Sequence, residues 1–183
     1  RDKQTDVNTY TIPIEPVNLS SQHVISDMPR RNVTVSISGN KDDLKNLSRQ
    51  SLTAEVDLRN PVLGKMAKYD VQFTIAGNKD IFKYELSDRR VFITVERIVN
   101  RRVPVKLDLN AGKNRENIVV RAKVQPLMMD ISGPESVIAG TSEIVTESYT
   151  APDRRGEINT SLKLVNPDKD RITLAADSVS LNL

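Results

Sequence analysis

The sequence predicts an all-β protein made of two small domains in tandem. Apolar and polar residues alternate over short runs, as in strands with one buried face. No helical period extends beyond one or two turns, so each domain is expected to contain only one short helical turn. An Ile-Ser-Gly sequence occurs twice, at residues 37–39 and 131–133. A spacing of roughly 90 residues is the length of a small domain, which indicates a repeated unit.

The composition supports two small aliphatic cores and argues against several classes of protein. The chain has 183 residues, of which 38% are hydrophobic, and it lacks both Trp and Cys. The formal net charge of +3 is too small to indicate nucleic acid as a partner. Without Cys there is no disulfide framework from which to infer the redox compartment. No apolar run approaches the roughly 20 residues of a membrane helix.

The first domain is predicted to span residues 9–97, after a polar linker at residues 1–8. Its opening run alternates and contains Pro13 and Pro16. Because proline has no amide proton to donate, this run predicts an edge strand or a strand that changes partner.

The first Ile-Ser-Gly copy lies in the clearest strand of the chain, whose buried face is formed by Val33, Val35 and Ile37. Gly39 is expected to break this strand. A short helical turn should follow, with Leu44 covering the end of the sheet. Further strands are predicted at residues 54–58, 71–75, 81–86 and 91–95.

The second domain is predicted to span residues 98–183 and to repeat the plan. Val103-Pro104-Val105 resembles Ile12-Pro13-Ile14 at the start of the first domain. In the second motif copy, Ile131 and Gly133 precede Pro134, which suits the start of a helical turn, and Ile138 takes the place of Leu44. Further strands are predicted at residues 118–124, 144–149, 158–164, 172–174 and 179–183.

The residues argue against catalysis, and we expect no cofactor and no metal. Metal sites built on Cys or His are unavailable, because His23 is the sole histidine and there is no Cys. His23 is interpreted as an exposed loop residue. Adjacent acids at Asp42 and Asp43 suit a helix start better than acid–base chemistry. The run at residues 166–170 lacks the glycine and glutamate of a calcium loop, so a turn is favoured.

Four Arg-Arg pairs fall at predicted turns or strand ends. One interpretation is that they protect sheet edges from aggregation. The other is that they contact anionic lipid headgroups or cell-wall polymers. Aromatic residues are too few to form a platform for stacking RNA bases. The candidate contact residues are Arg30, Arg31, Arg89, Arg90, Arg101, Arg102, Arg154 and Arg155.

Five segments follow one another along the chain in a characteristic order, namely residues 29–39, 55–58, 90–96, 102–105 and 126–138. The last segment is the most informative, because a proline, an alternating strand, Gly-Pro and a short helix follow one another in it. This ordered series resembles the YbbR-like domain family over nearly the whole chain. Asp88-Arg89 stands where family members often have proline, and Gly112-Lys113 where they often have a Gly-aromatic pair.

This resemblance implies a fold, a location and a role. The fold would be similar to that of the C-terminal domain of ribosomal protein L25. Such domains lie in tandem on the outer face of bacterial membranes, behind one N-terminal membrane-spanning helix that would precede Arg1. They are not enzymes. In many Gram-positive bacteria, such a protein is a partner and regulator of the membrane-bound diadenylate cyclase that makes cyclic di-AMP.

We therefore expect a non-catalytic, membrane-anchored regulator that acts on a diadenylate cyclase by protein contact. The alternative hypothesis is a structural or adhesive surface module that binds wall polymer or an anionic membrane surface. No nucleic acid is expected as a partner.

Overall fold

The computed structural model describes residues 5–77, 79–110, 121–152 and 156–183. The chain divides into two compact units, Arg1–Glu96 and Arg97–Leu183, one residue before the boundary placed from the sequence. The all-β fold class is confirmed. Strands make up most of both units, and the α-helices of the described residues are α1 (Lys41–Lys45) and α2 (Glu135–Ala139), with five residues each.

The described residues of unit 1 form seven strands, the first part of an eighth, and two short 3-10 turns, Arg49–Ser51 and Lys79–Ile81. The strands are β1 (Thr5–Val17), β2 (His23–Asp27), β3 (Asn32–Asn40), β4 (Leu52–Asp57), β5 (Ala67–Asp70), β6 (Gln72–Ile75), β7 (Lys83–Leu86) and β8 (Arg90–Lys106). Five of them form a sheet in the order β6-β4-β1-β3-β7, while β2 and β5 pair with β8. Strand β8 contributes its first residues to unit 1 and the rest to unit 2.

Strand β1 changes partner at Pro13, which is one of the two possibilities that the sequence left open. Up to Pro13 it runs antiparallel to β3, and from Ile14 onward it runs parallel to β4. Ile14 donates its N–H to the carbonyl of Arg31 at 2.8 Å. The N–H groups of successive residues in a strand point to opposite edges. Since Ile14 donates toward β3, the nitrogen of Pro13 faces the edge on the β4 side, where pairing begins only at Ile14. No hydrogen bond is therefore lost by having proline at this position.

The predicted linker at residues 1–8 is wrong for its second half, because β1 begins at Thr5. Val7 pairs with Ser38 and Asn8 with Ile37 on β3. Their side chains are exposed, so the run lacks a buried apolar face, but its backbone extends the sheet. The first four residues of the predicted linker lie outside the described ranges.

Unit 2 repeats this plan with different strand lengths. The strands that follow β8 are β9 (Leu109–Asn110), β10 (Lys123–Gln125), β11 (Met128–Pro134), β12 (Ile144–Thr146), β13 (Tyr149–Thr150), β14 (Asn159–Val165), β15 (Thr173–Leu174) and β16 (Ser178–Asn182). The main sheet has the order β10-β16-β14-β12-β8-β11-β15, and β9 and β13 form a separate parallel pair. Of the strand predicted at residues 118–124, the first three residues lie outside the described ranges, and β10 begins only at Lys123.

The second part of β8 corresponds to β1. It runs antiparallel to β11 as far as Pro104 and parallel to β12 from Val105. Val105 donates to the carbonyl of Leu127 at 2.8 Å, just as Ile14 donates to that of Arg31. The two Pro-centred runs thus mark the same point of one strand plan.

Candidate functional site

The side chains of the repeated motif lie in the cores of the two units. In unit 1, Leu44 from α1 packs in the core with three residues of β3, namely Val33, Val35 and Ile37. In unit 2, Ile131 from β11 and Ile138 from α2 are both buried. These side chains stabilise the core of the unit to which each belongs, and they present no functional group to solvent.

The motif glycines do not break their strands. Strand β3 continues through Gly39, and β11 continues through Gly133. Both glycines allow close packing instead. A Cβ on Gly39 would lie 2.9 Å from Cδ1 of Phe82, and one on Gly133 would lie 2.4 Å from the carbonyl oxygen of Arg171. The absence of a side chain, not backbone freedom, is what these sites require.

The start of the second helix differs from the expectation, whereas Asp42 and Asp43 lie at the start of the first helix as expected. Pro134 does not occupy the first helical position but the N-cap before Glu135, with an extended backbone. In unit 1 the N-cap is Asn40, whose side chain accepts from the N–H of Asp42 at 3.0 Å. Asp42 and Asp43 lie in the first turn, where the helix dipole favours their charge.

Three of the candidate arginines form ion pairs within their own unit. Arg30 contacts Asp88 at 3.3 Å and Arg90 contacts Asp70 at 3.1 Å. In unit 2, Arg102 lies 3.7 Å from Asp130. Exposed pairs such as these contribute little stability, but each places a carboxylate beside a cation. The net charge of each arginine–aspartate pair is close to zero, which favours the interpretation that these residues protect sheet edges.

Arg101 is engaged with the end of a helix. Its Nη1 donates to the carbonyl oxygens of Ile138, Ala139 and Thr141 at 3.1–3.3 Å. Arg101 thereby caps the C-terminal end of α2, where unpaired carbonyls favour a cation.

The structure describes two of the remaining four candidates. Arg31 and Arg89 are exposed and have no ion pair with the residues that the structure describes. Arg154 and Arg155 lie outside the described residues.

Replacing Arg101 with methionine is expected to destabilise unit 2 by about 1 kcal/mol, because three carbonyl groups lose a charged donor while the apolar stem is retained. Amide hydrogen exchange along α2 and β11 measures this loss. The matched control is Arg102→Met, which removes a single exposed ion pair and should change exchange by less than about 0.5 kcal/mol. Equal effects of the two substitutions would show that Arg101 does not cap α2.

The titratable residues do not form a catalytic arrangement within the described ranges. His23 is the first residue of β2 and is half-buried, not an exposed loop residue. The backbone N–H of Arg59 and the side chain of Asn18 both donate to Asp57, which lowers the pKa of that carboxyl. A lowered pKa keeps the group ionised and suits a structural role better than that of a general acid.

No group of His, Cys, Asp or Glu among the described residues could hold a metal ion. In the turn at residues 166–170, Asp168 accepts from Nε of Arg171 at 2.7 Å. Its backbone N–H donates to the side chain of Asn166 at 3.0 Å. These contacts make an ordinary polar turn.

One exposed apolar site was missed in the sequence. Leu127 and Met128 are 67% and 40% exposed, although Met128 begins a strand. No sequence signal shows this site, because Leu127 corresponds to Arg31 only through the hydrogen bonds that their carbonyls accept from Val105 and Ile14. Aligning the two Ile-Ser-Gly copies does not reveal it. The residue paired with the proline lies seven residues before the motif glycine in β3 but five before it in β11.

The geometry defines an all-β protein built from two copies of one strand plan, with no assembled reactive group among the described residues. A YbbR-like protein from Streptococcus pneumoniae matches 100% of this chain and 96% of its own, with a TM-score of 0.54 and 12% identity. The chain therefore has a YbbR-like fold, which confirms the resemblance found in the sequence.

A YbbR-like domain from a Listeria monocytogenes protein matches 52% of this chain and 95% of its own length, with a TM-score of 0.40 and 22% identity. Neither a family profile nor any curated protein matches the chain. Within the described ranges, both helices are far too short to cross a membrane.

Proposed function

We propose that this chain is the extracytoplasmic, non-catalytic part of a membrane-anchored protein that regulates a diadenylate cyclase by direct contact. The observation that carries the proposal is the YbbR-like fold, which extends over the whole chain. The sequence segments that resemble the YbbR-like family come from both units and keep the same order along the chain. The location outside the membrane and the cyclase as partner both follow from that resemblance.

Regulation by such a protein works through differential binding. If the two units bind one conformation of the cyclase complex more tightly than another, they shift its population and its output. The contacts would come from exposed sheet edges, turns and depressions. One open depression in unit 1 is lined by Asp57, Lys68, Tyr69, Asp70, Gln72 and Arg90. Both of its carboxylates are already hydrogen-bonded within the unit, which suits binding better than chemistry.

The adhesive alternative has less support from four of the eight candidate arginines. Binding of wall polymer by the Arg-Arg pairs needs cations that are not neutralised within the protein. Arg30, Arg90 and Arg102 each contact an aspartate, and Arg101 is engaged with α2. Contact with a protein partner requires no such excess of charge.

Deleting the full-length gene from its host is expected to change cellular cyclic di-AMP severalfold, since allosteric couplings of about 1–3 kcal/mol correspond to changes of this size. The measurement is nucleotide content per cell. It is combined with co-purification of the cyclase from membranes that carry the tagged full-length protein.

The control is complementation with the intact gene and with a form that lacks residues 5–183. Only the intact gene should restore the nucleotide level and retain the cyclase. An unchanged nucleotide level together with no cyclase in the purified material would refute the proposal.

A further inference from the structure

The turn between β10 and β11 exposes apolar side chains. We call Pro126, Leu127 and Met128 the apolar tip. Leu127 is 67% exposed and is the most exposed large apolar residue of the described chain, and Met128 is 40% exposed. An exposed apolar side chain by itself is ordinary, so the surroundings of the tip decide what it indicates.

The apolar tip is held firmly by the sheet. Val124 and Met129, on either side of it, are buried in the core of unit 2. The carbonyl of Leu127 accepts from the N–H of Val105 at 2.8 Å. The exposure of Leu127 is therefore a property of an anchored turn, and its side chain is presented to solvent at a fixed point of the sheet.

The fold does not require apolar residues at this position. In unit 1 the corresponding carbonyl belongs to Arg31, which accepts from Ile14, and Asn32 corresponds to Met128 through the pairs with Pro13 and Pro104. The two units therefore place Arg-Asn and Leu-Met at one position of the same strand plan. Because Arg-Asn is compatible with the fold, Leu127 and Met128 are not explained by packing.

Cations lie beside the apolar tip. Lys123 and Leu127 border the same open depression, which is lined by residues 122–127. Residues 121–129 also include Arg121, a second exposed cation, and contain no acid. Asp130 is the next residue, and its charge is balanced by Arg102 at 3.7 Å. The charge that flanks the tip along the chain is therefore positive.

We propose that the apolar tip is a contact site for an anionic phospholipid surface, in which Leu127 and Met128 enter the headgroup region while Lys123 and Arg121 bind the lipid phosphates. Apolar side chains flanked by cations are the combination that binds such interfaces. A protein partner fits less well, because one turn is small beside the roughly 800 Å² that each side of a stable protein interface buries. A lipid surface needs no complementary shape.

This inference goes beyond the proposed function and does not depend on a cyclase, so it is tested with the purified 183-residue chain and vesicles. The chain contains no Trp, so Leu127→Trp introduces a single fluorescent probe at the tip. We expect its emission to shift to the blue with vesicles containing phosphatidylglycerol and to stay unchanged with phosphatidylcholine alone. The matched control is Val7→Trp in unit 1, at a residue that is 62% exposed and follows an aspartate. Its emission should not shift with either vesicle.

Co-sedimentation of the chain with the same anionic vesicles supplies the second measurement. Leu127→Asn is expected to weaken binding about fivefold, because a buried apolar side chain leaves the interface. The matched change Val7→Asn should leave binding unaltered. Unshifted emission from Leu127→Trp, an equal shift from Val7→Trp, or undiminished binding by Leu127→Asn would each overturn the proposal.

Discussion

Replacing Gly133 with alanine is expected to destabilise unit 2 by about 2–3 kcal/mol, the cost typical of an added group that close packing cannot accommodate. The new Cβ would lie 2.4 Å from the carbonyl oxygen of Arg171 and 3.3 Å from Cδ1 of Ile138. Because the closer atom belongs to the backbone, relief requires β11 to move away from the chain just before β15. Amide hydrogen exchange in β11 and β15 measures the loss.

Two other glycines serve as controls for this prediction. Gly39→Ala meets the ring of Phe82 at 2.9 Å, and a side chain can move more easily than backbone, so a smaller loss is expected in unit 1. Gly140→Ala has no contact closer than 3.6 Å and an αR backbone, so stability should be unchanged or slightly raised. If Gly133→Ala were as well tolerated as Gly140→Ala, the close approach at Gly133 would be refuted.

Replacing Ile138 with alanine is expected to destabilise unit 2 by about 3 kcal/mol, within the range measured for large-to-small changes in cores. Ile138 is the buried residue of α2 and packs with Ile131 and its neighbours in the core of unit 2. The five-residue helix is too short to be stable alone, so loss of this contact should also release α2 from the sheet. The measurement is hydrogen exchange in α2 together with urea denaturation.

The surface substitution Val165→Ala separates this effect from loss of any aliphatic group. Val165 lies at the end of β14 and is 52% exposed, so its truncation should cost no more than about 0.5 kcal/mol. The equivalent core change in unit 1 is Leu44→Ala, which should lower protection in α1 and β3. A loss for Ile138→Ala as small as that for Val165→Ala would show that α2 is not held by its one buried side chain.

Alternating hydrophobicity predicted the buried strands well, because a sheet with one solvated face forces a period of two. Val33, Val35 and Ile37 are buried as expected. The prolines of the opening run indicated either an edge strand or a strand that changes partner, and β1 is the second. Strand lengths were predicted less well. The sequence indicated a strand at residues 91–95, whereas β8 runs from Arg90 to Lys106, because its exposed middle carries no alternation of buried and solvated side chains.

The candidate site was harder to predict because it depends on contacts between residues distant in sequence. Nothing next to Gly133 in the chain indicates the carbonyl of Arg171, so the glycine was interpreted as a strand breaker. Arg101 and Arg102 are adjacent and chemically identical, yet one caps a helix and the other forms a surface ion pair. The sequence marked both arginines as candidate contact residues because of their positive charge, and their different roles became visible only in the folded structure.

The pairing of β2 and β5 with β8 determines when unit 1 can fold as the chain emerges with its N-terminal end first. Both strands are complete by Asp70, but their shared partner begins only at Arg90. The same strand brings three of the buried core residues, Val91, Ile93 and Val95. Until β8 has emerged, the nascent chain therefore carries two unpaired strands and an unfilled core, the state in which β proteins are most exposed to aggregation.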